Sequence, residues 1–304
     1  MKFVAGEGSL RLDVALAERS QIPSRAAAQR LIAGGRVLVD GRPRPARHRL
    51  AVGEVVQVDL EEEREDAASP APFEVAYEDE HLIVVDKPAG VVVHPAAGHS
   101  SGTLADALRE RAAGGAPGRA GIVHRLDRDT SGLMVVAKSE AAHTALQRLI
   151  RRREVEREYL TLVEGRPDSE TGTIEAAIGR DRVQRDRMSL RTDRPREART
   201  HFWRIEELPR TTLLGVRLET GRTHQIRVHL AAIGHPVCGD RRYGGTDCGE
   251  RLGLTRQFLH SMSLRFRHPF TGEKVACESK PPADLRRAID AAMREPVSGG
   301  PDGG

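Results

Sequence analysis

One carboxylate stands out by its neighbours. In the run His124-Arg125-Leu126-Asp127-Arg128-Asp129-Thr130-Ser131-Gly132, Asp127 lies between a cationic shoulder (His124, Arg125, Arg128) and a turn of small residues. The apolar stretch from Leu133 to Ala137 predicts a strand that anchors this turn. A carboxylate held in this way can serve as a nucleophile or a base. If it is ionised and shielded from water it needs a counter-ion, because burial alone raises its pKa. A second run, Glu219-Thr220-Gly221-Arg222-Thr223-His224-Gln225-Ile226-Arg227-Val228-His229, supplies one. Read as a helix start, it lets Arg227 face inward while Arg222 stays near the turn. A third run, Arg157-Glu158-Tyr159-Leu160-Thr161-Leu162-Val163, carries one of only three tyrosines. A tyrosine on a strand can stack on a base and move a proton.

Taken together, these runs resemble the signatures of the RluA-type pseudouridine synthases. His124 to Lys138 matches the segment that holds the family's catalytic Asp, so the resemblance implies that Asp127 is catalytic. It implies that Arg227 pairs with Asp127, and that Tyr159 stacks on the flipped uracil and moves the proton at its carbon 5. Asp127 would attack the ribose, abstract a ribose proton or add to the ring, three routes that the sequence leaves open. Asp86-Lys87-Pro88-Ala89-Gly90 followed by His94-Pro95 resembles a further family segment, read as structural, with Lys87 within reach of RNA phosphate. Leu259 resembles the Leu that packs beside the target base. Arg125 either fills the gap left by an extruded base or clamps a phosphate. His124, Arg222 and His224 complete the expected RNA-facing set. The reaction is a redox-neutral rearrangement, so no cofactor and no metal is expected.

Composition agrees with an RNA partner. The formal net charge is only +4, but the positive charge is clustered. Eight arginines and one acid lie between Arg19 and Arg49, and nine arginines and four acids between Arg180 and Arg204. Only five of the 48 basic residues are Lys, a bias that explains arginine replacing lysine but not the clustering. Clusters of this kind read as a polyanion footprint. There is no 18-residue apolar run for a membrane span, and Met1 to Glu7 lacks the apolar core of a secretory signal. The three cysteines, Cys238, Cys248 and Cys277, predict neither a disulfide framework nor a zinc site. The expected compartment is the cytoplasm, and the expected state a monomer.

A chain of 304 residues is long enough for two domains. The first module, residues 1–60, opens with a helix starting near Ser9, with Val14, Leu16 and Ala17 on its apolar side. Ser24 is placed to cap a second helix, which Gly34-Gly35 would stop. Strands 37–39 and 55–58 follow, with Asp40-Gly41 as a hairpin turn. This pattern resembles the S-four-like RNA-binding domain, and implies that Ser24 and Arg25 lie on its RNA face. Asp40 stands where that family usually has Asn. Residues 61–72 read as a linker, 73–290 as the catalytic domain and 291–304 as a disordered tail. In the large domain strands are expected at 81–86, 91–93, 133–137, 159–163 and 213–218, and helices at 103–112, 139–152 and 223–233. The class is α+β. The resemblance implies a mixed, mostly antiparallel sheet flanked by helices, with a layout closest to the RluD subgroup. The implied activity is uridine-to-pseudouridine isomerisation in large-subunit ribosomal RNA, with transfer RNA as the alternative substrate.

Several weaker patterns point elsewhere. Gly98-His99-Ser100-Ser101-Gly102 matches the nucleophile elbow of hydrolases, but no triad accompanies it. Asp127-Arg128-Asp129 has the spacing of a phosphoaspartyl phosphatase, but lacks the apolar strand before it. Glycine-rich 114–121 has no following Gly-Lys-Ser/Thr, so it is not a phosphate loop. A non-catalytic RNA-binding or ribosome-assembly protein would explain the arginines. It would not explain a carboxylate such as Asp127, which repels phosphate.

Overall fold

The computed structural model describes residues 1–6, 10–19, 21–22, 24–59, 71–94, 101–116 and 120–296. Most of the expected linker, the end of the expected tail, the Gly98–Ser100 part of the hydrolase-like motif and the centre of the glycine-rich 114–121 stretch lie outside them. The chain divides into two compact units, Met1–Asp66 and Ala67–Gly304.

The smaller unit builds its core from Leu12, Leu16, Ile22, Ala28, Val37, Val39, Val56 and Val58. Its first helix, Leu12–Ala17, turns Leu12, Ala15 and Leu16 inward. Val14 and Ala17, expected on the apolar side, are only half-buried, because the face is set by the i, i+3, i+4 spacing from Leu12. The second helix, Arg25–Ala33, is capped by Ser24, whose Oγ accepts from the Ala27 N–H at 3.2 Å. Gly35, at φ 72°, ends it in the left-handed conformation. Asp40 (φ 49°) and Gly41 (φ 73°) form the hairpin turn. The four strands run in the order Lys2–Val4, Val55–Val58, Val37–Val39, Arg42–Pro43, all antiparallel.

The larger unit is organised by a nine-stranded sheet. Along it lie Glu74–Glu78, Leu82–Lys87, Ser131–Ala137, Leu259–Arg267, Glu156–Glu164, Thr211–Leu218, Arg199–Glu207 and Thr171–Glu175, with Lys274–Glu278 paired to Leu259–Arg267. Every pairing is antiparallel except that between Ser131–Ala137 and Leu259–Arg267. Strands Leu82–Lys87 and Ser131–Ala137 are covered on both faces along most of their length, which is why Leu82–Val85 and Leu133–Ala137 are unbroken apolar runs. Ile83, Val85, Met134 and Val136 face the main core, with Tyr159, Leu162, Ile226 and Leu230. Leu82, Val84, Leu133 and Val135 face the opposite layer, where the helix Glu140–Arg151 contributes Ala142 and Leu146.

Two expected elements differ. Residues 91–93 are not a strand: Val91 and Val93 are buried, but the Val92 and Val93 carbonyls accept from Leu104 and Ala105 of a helix start. The expected helix 103–112 contracts to Leu104–Ala107, held by a Thr103/Asp106 capping box and followed by turns. Cys238 and Cys248 form a disulfide, a bond that the reading of no disulfide framework did not include. Their ten-residue separation crosses a tight loop that the sequence pattern does not reveal. Among the described residues no helix is long and apolar enough to cross a membrane.

Gly132 makes the parallel contact. It sits at φ 110°, and a side chain there would collide with the Ser261 backbone. Gly132→Ala is therefore expected to cost about 3 kcal/mol, from overpacking and backbone strain together. Urea unfolding checks this, and a loss below about 1 kcal/mol would contradict it.

Candidate active site

Asp127 lies in the turn that leads into strand Ser131–Ala137, and the carbonyls of Asp127, Arg128 and Asp129 are each captured. The Thr130 N–H donates to the Asp127 carbonyl at 3.1 Å. The Arg128 carbonyl accepts from the Gly90 N–H and from Lys87 Nζ, both at 2.9 Å. The Asp129 carbonyl accepts from Arg256 Nη1 at 2.9 Å. A turn with its polar backbone satisfied in this way has little freedom to shift.

Lys87 is thus a post beneath the turn. It is fully buried, and its Nζ also donates to the Pro88 and Val91 carbonyls. The expectation that it reaches RNA phosphate is corrected: its three donors are spent on backbone. Burial pushes its pKa down to about 7, against the pull of Asp129.

The Asp127 side chain meets Arg227, from the helix Gln225–Ala232. Arg227 Nη1 donates to Asp127 Oδ2 at 3.0 Å. The rest of the guanidinium grips Asp240, with Nε to Oδ2 at 2.6 Å and Nη2 to Oδ1 at 2.9 Å. Burial opposes the Arg227 charge, but the Asp240 hydrogen bonds and the two carboxylates outweigh it and hold its pKa above the ordinary value. Asp240 is buried and also accepts from the Arg242 and Tyr243 backbone N–H groups.

The helix start is set by Gln225. Its Oε1 accepts from Thr220 and from the Arg222 N–H, while its Nε2 donates to the Arg199 carbonyl and Thr200. His224 precedes it in the left-handed conformation, at φ 56°. Its Nδ1 lies 2.8 Å from the Tyr243 hydroxyl and its Nε2 3.9 Å from Asp127 Oδ1. Burial, aided by Arg227 and Arg242, lowers its pKa despite Asp127, so the ring is neutral near pH 7. The Tyr243 contact fixes the ring orientation and turns Nε2 towards Asp127.

A narrow cleft of about 50 Å³ beside Asp127 is lined by Arg125, Tyr159, Arg222, His224, Arg227 and Leu259, among others. Tyr159 is buried, and burial raises its pKa, keeping the phenol protonated. Arg125 is exposed, and Arg222 is half-buried with Nε on the Glu197 carbonyl. His124 lines a wider adjoining cavity, and its Nε2 accepts from the Val135 N–H at 3.0 Å. Ser24 and Arg25 belong to the smaller unit. There Ser24 caps its helix, and Arg25, with Arg11 and Gln29, binds the buried Asp13.

Sequence reasoning did not single out Asp240, Tyr243, Gln225 or Arg157. The first two lie in Gly239-Asp240-Arg241-Arg242-Tyr243-Gly244, where an acid and an aromatic between glycines were the available signal. Tyr243 also ties the arginine-rich 180–196 segment to the site. It accepts from the Met188 N–H, and the Arg187 guanidinium lies 4.8 Å from its ring. Among the described residues no group of three or more His, Cys, Asp or Glu could hold a metal ion.

Comparisons with known proteins agree on one family. Residues 81–232 match the family model described as RNA pseudouridylate synthase, and residues 10–56 match the S4 domain. The chain is 44% identical over 299 residues to the ribosomal large subunit pseudouridine synthase D of Xanthomonas campestris, covering 94% of this chain and 89% of the relative. It is 44% identical over 293 residues to the protein of that name from Pseudomonas aeruginosa, covering 91% and 90%. Among solved structures it resembles human RNA pseudouridylate synthase domain containing 1, with a TM-score of 0.57 and 28% identity over 75% of this chain and 97% of that one.

Two outcomes are expected. Asp240→Ala leaves the buried Arg227 charge poorly matched and should cost about 3–5 kcal/mol in denaturant unfolding. A loss below about 1 kcal/mol would show that the clamp is not structural. The second concerns pH. Folded Lys87 releases its proton near pH 7, whereas the unfolded chain keeps it to about 10.5. Between those values the unfolded state binds more protons, so this group's contribution to stability rises with pH. Wild type should gain on Lys87→Met as pH climbs from about 7 to 10.5, and a flat difference would contradict the assignment.

Proposed function

The chain belongs to the family of RNA pseudouridine synthases, isomerases that act on RNA, and we propose that Asp127 is its reacting carboxylate and large-subunit ribosomal RNA its substrate. The observation that carries the first part is the Arg227–Asp127 contact at 3.0 Å, at the mouth of a cleft walled by Tyr159 and Leu259. The names of the relatives from Xanthomonas campestris and Pseudomonas aeruginosa support the second.

Arg227 engages Asp127 Oδ2, which leaves Oδ1 for the target nucleotide, with the neutral His224 ring behind it. The target uridine is drawn out of its stack, at a cost of a few kcal/mol. Arg125, exposed at the mouth, takes the vacated place in the stack or holds a phosphate. Leu259 and the Tyr159 ring pack on the base. Asp127 opens the reaction, the glycosidic bond breaks, the uracil turns and its carbon 5 bonds to the ribose. The proton left on carbon 5 is then removed, the step assigned to Tyr159. A phenol kept neutral by burial does this as a relay: its oxygen takes the carbon 5 proton as its own hydroxyl proton leaves for N1 of the uracil, freed when the glycosidic bond broke, so no second anion forms beside Asp127.

Residues 1–60 are assigned to gripping RNA and 73–290 to the chemistry, with 61–72 joining them and 291–304 a tail. The S4 match over residues 10–56 and the arginines between Arg19 and Arg49 support the first assignment. The protein is read as a cytoplasmic monomer.

Pseudouridine mapping of ribosomal RNA from cells lacking the protein tests the substrate. Sites lost in the deletion and regained with the wild-type chain are expected in the large subunit. An unchanged ribosomal map, with sites lost from transfer RNA, would overturn that choice. For Tyr159→Phe, the single-turnover rate on such RNA should fall about 10²- to 10⁴-fold, with affinity kept within about twofold. A rate equal to wild type would remove the hydroxyl from the mechanism.

A further inference from the structure

Arg157 is 4% exposed, yet its Nε has no hydrogen-bond partner. No carboxylate among the described residues forms an ion pair with it; the adjacent Glu158 is taken by Arg265. A guanidinium without an acceptor is costly to bury. Beside it stands a second orphan. The Val135 N–H donates to His124 Nε2, so the ring proton is on Nδ1, and that nitrogen is buried without a partner. Burial, then the charge of Arg157, pushes His124 down to about 3, so the ring stays neutral.

Both residues line one cavity of about 380 Å³, which also reaches Asp127, Tyr159 and Gly221. Arg157 and Tyr159 are two apart on strand Glu156–Glu164 and so share a face. Gly221 keeps the wall open, since a side chain there would come within 3.1 Å of Arg157 Nη1. The cavity thus offers a permanent cation and a neutral N–H donor, with nothing to receive them. A uracil carbonyl would satisfy a hydrogen bond and leave the charge unmatched. A phosphodiester carries a full negative charge on oxygens that only accept, the match for a guanidinium.

We propose that this cavity binds a phosphodiester flanking the target uridine, through the Arg157 guanidinium and the His124 Nδ1–H. The proposal rests on the reading of Asp127 as the reacting end of an RNA site. It makes the free protein hold an unmatched cation that substrate RNA completes.

The test uses the full chain and a large-subunit ribosomal RNA fragment spanning a uridine identified by mapping. One neutral methylphosphonate replaces each phosphate near that uridine in turn, and affinity is measured. Wild type should lose about tenfold at one flanking position, the scale of a charge-assisted contact. Arg157→Met should lose about as much on unmodified RNA and be indifferent to that one replacement. It should also melt at a higher temperature than wild type when free, and gain nothing from inorganic phosphate, which should raise the wild-type melting temperature. Equal methylphosphonate profiles for the two proteins would overturn the proposal. Should Arg157→Met not fold, His124→Phe carries the same comparison, with a smaller loss at the same phosphate. The affinity readout is independent of turnover: absence of pseudouridine would contradict the assigned reaction, while the scan still decides the phosphate site.

Discussion

The Arg227 guanidinium stands between two carboxylates, and the rest of the site is arranged to keep it there. Asp240 takes two of its N–H groups and Asp127 a third. The division of labour is unequal. Asp240 is fully buried and further tied to backbone N–H groups, so it fixes the arginine. Asp127 remains partly open to the cleft and receives a cation already in position. A buried arginine held only by Asp127 would tie up the carboxylate proposed to react. The second acid removes that conflict, because the charge stays matched when Asp127 changes partners.

Both halves of this pair depend on the sheet. The parallel contact between Ser131–Ala137 and Leu259–Arg267 brings the Asp127 turn beside the Leu259 end of the second strand. Gly132 allows the two backbones to approach, while Lys87 and Arg256 hold the turn's carbonyls from below. The arginine comes from the other side, on a helix whose start is fixed by the four hydrogen bonds of Gln225. Tyr243 links His224 to the arginine-rich segment around Arg187, so that segment packs against a residue that touches the site.

The central strands were readable because they are buried on both faces, and a doubly buried strand must be apolar throughout, as at Leu82–Val85 and Leu133–Ala137. The strand Arg199–Glu207 was not, since only Thr200 and Phe202 turn fully inward from a polar sequence. The helix expected at 103–112 shows the reverse failure: good helix formers give one helical turn, then turns that lead to the Ala113 N–H bond with the Ala137 carbonyl of the sheet. Within the site, Asp127, Arg227 and Tyr159 were legible through long motifs. Lys87 was misplaced, because a lysine in an RNA-binding chain suggests phosphate, and only the three backbone carbonyls around its Nζ reveal a post. Asp240 was missed because its role is to satisfy another side chain 13 positions away, a relation that no local pattern encodes.

The central claim is that Asp127 reacts, rather than merely completing an ion pair with Arg227. The most direct measurement is the single-turnover rate of pseudouridine formation by Asp127→Asn, set beside its affinity for the same RNA. Asparagine keeps the size of the side chain and removes a charge that repels phosphate. The account predicts no detectable pseudouridine, with RNA bound as tightly as by wild type or more tightly. A variant that still converts uridine at a rate within about tenfold of wild type would contradict it, since removing a reacting group costs far more than that.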